Sequence, residues 1–277
     1  MNMGISIFRH MRIFWWPFII FNTVIATLII SPIHLVDSFY LSLSLCMSAS
    51  FAYVHNDLLD SVCDAINRNN GRGHEIVYNK SKYNVALISL FLLSFAFASF
   101  IGINVVVCIL IMNMLLFVYN FVQYKTPLAI VFSSVLATAP IFIPVILWQT
   151  NIHDDLWVIF FALVSLVICR EIVADINDYS GDKIAGKKTL VVMFGRSVAV
   201  YFLIILSAIS LLVLLLSAFY SFLHNDTSFL QIGHHLLFIT SLVLITFFDK
   251  KLTKQFNGEK YIKRTRFVTL LAPFLLI

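Results

Sequence analysis

Charge is scarce in this chain: 12% of its 277 residues are Asp, Glu, Lys or Arg, against roughly 25% in soluble domains. Hydrophobic residues make up 60%, and the mean hydropathy is +0.94. That balance excludes a soluble enzyme and places the chain among polytopic membrane proteins. Cysteine is also sparse. Cys46, Cys63, Cys108 and Cys169 show neither metal-ligand nor disulfide-framework spacing and read as packing residues. The first apolar run is too long for a secretory signal and lacks a small-residue cleavage signature, so it reads as a permanent span.

What is abundant is long apolar sequence. Runs long enough to span a bilayer fall near 13–31, 38–55, 83–101, 103–122, 127–149, 156–174, 197–220 and 231–248. A ninth begins near Phe267 and has eleven residues before Ile277, so it is either short or clipped. Lipid forces every backbone polar group to be bonded internally, and these runs exceed the alternating strands, ~10 residues long, of outer-membrane barrels. The expected fold is therefore all-α: a polytopic membrane bundle of about nine transmembrane helices, with loops and short helices capping its cytoplasmic side. Gly102 is expected to mark the turn between the third and fourth spans. The chain reads as a single domain over 1–277, with two halves of about 1–122 and 127–277 that echo each other.

Basic residues concentrate in cytoplasmic loops, and all 19 obey one orientation with the N-terminus inside. Arg9 and Arg12 precede the first span; Arg68, Arg72, Lys80 and Lys82 follow the second; Lys125 follows the fourth. Arg170, Lys183, Lys187, Lys188 and Arg196 lie at or after the end of the sixth, and seven more follow the eighth. The loops around 32–37, 150–155 and 221–230 contain no Lys or Arg. This bias, with attraction to anionic lipid, accounts for the net charge of +5 without a nucleic-acid partner.

Six of only 14 acidic residues fall into two triplets of identical spacing: Asp57, Asp60 and Asp64, then Asp175, Asp178 and Asp182. Steps of three and four follow the helical period, so each triplet projects from one helix face, on the same side of the membrane. A carboxylate at the centre of a membrane helix costs roughly 2.5–3.5 kcal/mol, so these six belong at the membrane edge, around a cation. Clustered carboxylates suit Mg²⁺ and Ca²⁺, and Mg²⁺ typically takes few protein ligands and completes its octahedron with water and substrate phosphates. Arg68, Arg72, Lys125, Lys183 and Lys187 lie on the correct side to hold spare phosphate oxygens. Metal-bound phosphate beside a wall of apolar side chains points to a diphosphate with a hydrocarbon tail, and a prenyl diphosphate fits.

The pattern Asn56-Asp57-x-x-Asp60-x-x-x-Asp64-x-x-Asn67-Arg68 resembles the first signature of the UbiA superfamily of intramembrane prenyltransferases. Arg170-Glu171-Ile172, Asp175-x-x-Asp178-x-x-x-Asp182-Lys183 and Gly186-Lys187-x-Thr189-Leu190 resemble the second. The resemblance implies that Asp57, Asp60, Asp64, Asp175, Asp178 and Asp182 bind Mg²⁺, and that an isoprenyl diphosphate donates its prenyl group to an aromatic or other lipophilic acceptor. Asn56, Arg68, Lys183 and Lys187 then belong to the substrate site. Tyr119 followed by Lys125 resembles the family's tyrosine-to-lysine stretch and makes Lys125 a candidate diphosphate clamp. Asn22 in the first span either faces the cavity or packs as an interhelical amide.

One departure is plain. Where the family commonly has Arg-Pro-x-Arg-Pro, this chain has Arg68-Asn69-Asn70-Gly71-Arg72-Gly73. Arg72 is either the second arginine of that clamp or a topology charge. Two other reactions stay open: cyclisation of the prenyl diphosphate without an acceptor, and cation-coupled transport. The expected setting is an inner or organellar-type membrane, with the active-site loops cytoplasmic.

Overall fold

A computed structural model of the chain describes residues 3–30, 34–61, 72–148 and 154–223. The expected eighth and ninth spans, Asp64 and Arg68 lie outside those residues. The described residues are helical, with no strand among them. In chain order the helices are α1 (Met3–His10), α2 (Trp16–Ile30), α3 (Leu35–Leu59), α4 (Arg72–Tyr78), α5 (Lys80–Ser99), α6 (Ile103–Val122), α7 (Ala129–Thr138), α8 (Ile143–Trp148), α9 (Asp154–Ile184), α10 (Leu190–Phe194) and α11 (Arg196–Leu223). Four helical segments among the described residues are long and apolar enough to cross a membrane: α3, α5, α6 and the combined run Ala129–Trp148.

Two compact units are present. The first comprises Met1–Ile152 with Ser180–Lys188; the second comprises His153–Tyr179 with Thr189–Ile277.

In the first unit α3 is the hub, packing against α2, α5 and α6. Its small side chains permit close approach, and hydroxyls act as interhelical glue where lipid offers no hydrophobic drive. Ser44 Oγ donates to the Ser94 carbonyl of α5 at 2.7 Å, and Asn113 Nδ2 of α6 donates to Ser94 Oγ at 3.0 Å. Toward the C-terminal end of α3, Met47, Phe51 and Val54 pack with Ile76, Tyr83 and Leu90. Toward the other end, Leu41 and Leu45 pack with Ala98, Val105, Ile109 and Ile143.

The opposite faces are apolar but exposed. On α6 Ile103, Val107, Ile111, Met114, Val118 and Phe121 recur at helical spacing along one exposed stripe. A stripe of that length would be an aggregation surface in water and is an ordinary lipid-facing surface in a membrane.

Gly102 stands at the N-cap of α6 with φ +150°. No heavy atom lies within 4 Å of where a Cβ would be, so backbone conformation, and not space, requires glycine there. The expected fifth span, 127–149, is not one regular helix. It runs as α7 to Thr138, tightens into a 3₁₀ turn over Ala139–Phe142 and resumes as α8. Pro140 and Pro144 remove two amide donors from the ladder, which accounts for the interruption.

The first polar loop carries the short helix α4, as a cap element should. Helix α9 has 31 residues; it includes the whole expected sixth span and continues through Asp175 and Asp178, and its residues from Ser180 on belong to the first unit. Thr189 caps α10, its hydroxyl accepting from the Val192 amide at 3.3 Å.

Candidate functional site

The first unit brings the end of α3 together with the last turn of α9. Asp60 is the C-cap of α3, its amide bonded to the Asn56 carbonyl at 2.8 Å, and it is buried. Asn56 Nδ2 donates to Asp60 Oδ2 at 3.1 Å, and the Tyr124 hydroxyl donates to Oδ1. Lys187 Nζ lies 2.7 Å from Oδ2. The same ammonium lies 3.7 Å from Asp182 Oδ1 and 5.1 Å above the Tyr124 ring. Gln123 Nε2 donates to Asn56 Oδ1 at 2.6 Å, which turns the amide nitrogen of Asn56 toward Asp60.

The glycine before Lys187 explains how this cation arrives. Helix α9 ends in a Schellman turn: the Lys187 amide bonds back to the Asp182 carbonyl at 2.9 Å and the Gly186 amide to that of Lys183 at 3.3 Å. Gly186 holds the left-handed conformation this turn needs, φ +72°. The chain reverses there and returns Lys187 beside Asp182, where the residue is buried.

Asp57 has different partners. His10 Nδ1 lies 2.8 Å from Asp57 Oδ2, and Arg12 Nη2 donates to Oδ1 at 2.9 Å. An ionised carboxylate only accepts, so His10 carries its proton on Nδ1. Asp57 thus meets His10 and Arg12, and Asp60 meets Tyr124 and Lys187.

Other expected residues are distributed as follows. Asp175 and Asp178 lie half-buried on α9 in the second unit, and Asp182 and Lys187 belong to the first. Lys183 is exposed. Lys125 is exposed on the turn after α6, its amide bonded to the Val122 carbonyl at 2.9 Å, and its neighbour Tyr124 is the residue that reaches Asp60. The Tyr119 ring packs at 6.3 Å from that of Phe132. Arg72 opens α4 and Asn22 lies within α2. Within the second unit Arg170 pairs with Glu171, and Arg196 Nη2 donates to the Ile176 carbonyl at 3.4 Å.

His10, Arg12, Gln123 and Tyr124 were not anticipated from the sequence. Arg12 counted there only as a topology charge; Tyr124 carried no signal beyond its place beside Lys125.

Among the described residues no three His, Cys, Asp or Glu side chains converge as a metal cluster. The donor chemistry nonetheless fits a hard cation. Asp60 and Asp182 are both buried carboxylates, 2.7 and 3.7 Å from one ammonium, and carboxylate oxygens are the ligands a hard cation takes.

Comparison with known proteins agrees in fold over the whole chain. A UbiA homologue from Archaeoglobus fulgidus bound to GPP and Mg²⁺ is 18% identical, with a TM-score of 0.70 over 98% of this chain and 99% of that one. A UbiA homologue from Aeropyrum pernix K1 is 12% identical, with a TM-score of 0.67 over 100% and 96%. A digeranylgeranylglyceryl phosphate synthase structure is 17% identical, with a TM-score of 0.66 over 100% and 99%. No curated protein sequence matches the chain. The model of the UbiA prenyltransferase family matches residues 14–256, and the chain is an integral membrane protein of that family.

Proposed function

We propose that this protein catalyses Mg²⁺-dependent transfer of a prenyl group from an isoprenyl diphosphate to an aromatic or other lipophilic acceptor, releasing diphosphate. The observation that carries the reading is the Asp60–Lys187–Asp182 arrangement. Acids from both sequence motifs lie within 2.7 and 3.7 Å of one buried ammonium. Membership of the UbiA prenyltransferase family supports the reading, and GPP with Mg²⁺ is what the Archaeoglobus homologue holds.

In this reading the whole chain acts as one domain. Asp57, Asp60, Asp64 and Asp182, with Asp175 and Asp178, supply hard oxygen ligands. Mg²⁺, when bound, neutralises the diphosphate leaving group. Asn56, oriented by Gln123, and Tyr124 keep Asp60 fixed. Lys187, Lys125, Lys183, Arg68 and Arg72 take diphosphate oxygens as point charges or forks. The allylic C–O bond breaks with its electron pair leaving on diphosphate; the acceptor's electrons form the new bond to carbon, and the acceptor releases a proton. Tyr119 and Asn22 belong to the substrate cavity. The membrane is of inner or organellar type, with the N-terminus and these loops cytoplasmic.

The test is diphosphate release by the purified protein from geranyl, farnesyl and geranylgeranyl diphosphates with Mg²⁺, with and without phenolic acceptors, products read by mass. An adduct of prenyl chain and acceptor establishes transfer. A hydrocarbon formed without acceptor establishes a cyclase instead, and absence of any diphosphate release overturns the reading.

A further inference from the structure

We propose that His10, the last residue of α1, and Arg12, on the turn that follows it, are positioning residues that fix the Asp57 carboxylate for the divalent metal. The inference rests on the reading of Asp57 as a metal ligand.

The two donors bind Asp57 from separate atoms. His10 Nδ1 takes Oδ2 at 2.8 Å and Arg12 Nη2 takes Oδ1 at 2.9 Å. Asp57 is 3% exposed and His10 1%, so the contact is walled from solvent. One donor on each oxygen fixes the plane of the carboxylate while a second lone pair on each stays available to a cation. Outer partners of this kind orient ligating carboxylates in metal sites generally.

The turn itself is built around that contact. Arg12 is the one non-glycine residue with positive φ among the described residues, at φ 50°, ψ 46°. Such a conformation persists only where its surroundings over-determine it. Here they do. Ser50, Tyr53 and Asp57 follow the helical period on one face of α3, and each engages the turn. Ser50 Oγ donates to the Met11 carbonyl at 3.0 Å and accepts from the Trp16 indole at 3.0 Å. The Tyr53 ring lies 4.5 Å beneath the Arg12 guanidinium. His10 also meets the Tyr83 ring edge-on at 4.9 Å. A cation that merely sets topology requires no fixed partner, no buried histidine and no left-handed residue.

Mn²⁺ is the probe, because its binding to purified protein is read by electron paramagnetic resonance without turnover. The expected result is that Arg12→Ala and His10→Ala raise the Mn²⁺ concentration for half-saturation by about tenfold or more. Arg12→Lys, and His10→Asn with an amide near the Nδ1 position, recover most of that loss. Arg12→Ala added to Asp57→Asn weakens binding no further than Asp57→Asn alone, because Arg12 acts through Asp57. Parental Mn²⁺ binding in both alanine variants, with only thermal stability reduced, overturns the inference and leaves the reading of Asp57 intact. Parental binding in Asp57→Asn overturns that reading, and the inference falls with it. Should the alanine variants fail to fold, Arg12→Lys and His10→Asn carry the test: a shift smaller than in Asp57→Asn supports positioning, and a shift as large contradicts it.

Discussion

Lys187 Nζ lies 2.7 Å from Asp60 Oδ2, joining the end of α3 to the turn after α9 across 127 positions of sequence. A buried ammonium 2.7 Å from one carboxylate and 3.7 Å from another is held by charge, and removing it takes a paired cation from a buried acid. Because an ammonium binds phosphate oxygens as readily as carboxylate, the same residue is suited to receive diphosphate. Lys187→Met is therefore expected to raise the prenyl diphosphate concentration at half-maximal rate at least tenfold, with Lys187→Arg intermediate. Steady-state kinetics check this; an unchanged half-maximal concentration contradicts it.

Lys125 gives a weaker version of the same prediction. It is exposed and its neighbour Tyr124 holds Asp60. Lys125→Ala is expected to raise the half-maximal prenyl diphosphate concentration without altering the product. Equal kinetics in Lys125→Ala and the parent assign Lys125 to membrane topology alone.

Tyr124→Phe removes the hydroxyl bonded to Asp60 while keeping the ring beneath Lys187. A lost hydrogen bond to a charged group is worth ~1.5–3 kcal/mol. Turnover is expected to fall about tenfold or more, the energy of roughly 1.4 kcal/mol per decade, with the protein still monodisperse. Unchanged turnover shows that Asp60 is oriented by Asn56 and Lys187 alone.

Two of the three positive-φ glycines among the described residues, Gly186 and Gly102, separate strain from function. Gly186 and Gly102 both have open space around a would-be Cβ, so alanine at either meets a backbone penalty and no clash. At Gly186 the left-handed conformation costs roughly 1–2 kcal/mol for an L-residue. Gly186→Ala is expected to lower both thermal stability and activity, because the Schellman turn delivers Lys187. Gly102→Ala, at the turn before α6, is expected to lower stability with kinetic constants unchanged. Thermal unfolding and kinetics on the same preparations distinguish the two, and parental kinetics in Gly186→Ala contradicts the delivery role.

The helices were legible where hydropathy alone decides them. The spans over 38–55, 83–101 and 103–122 fall within α3, α5 and α6 apart from a residue or two at a turn, because lipid leaves the backbone no alternative to internal bonding. The interruption at Pro140 and Pro144 was written in the sequence, but hydropathy averages over prolines. The site was legible as residue types more than as partnerships. Equal spacing placed Asp57 and Asp60 on one helix face, yet α3 ends at Leu59 and the two carboxylates meet different groups. Charge bias explained Arg12 fully as a topology residue, so nothing local announced its bond to an acid 45 positions away. Tyr124 reaches Asp60 only because α3 and α6 are neighbours, a tertiary fact that no spacing rule encodes.

The most direct test of the central claim, that both acidic motifs serve one metal-dependent reaction, is a Mg²⁺ titration of diphosphate release by the parent, Asp60→Asn and Asp175→Asn proteins. The account predicts release that requires Mg²⁺ in the parent and falls at least a hundredfold in each variant, with both variants folded and inserted. Parental rates in either variant, or release in the parent that is indifferent to Mg²⁺, would contradict it.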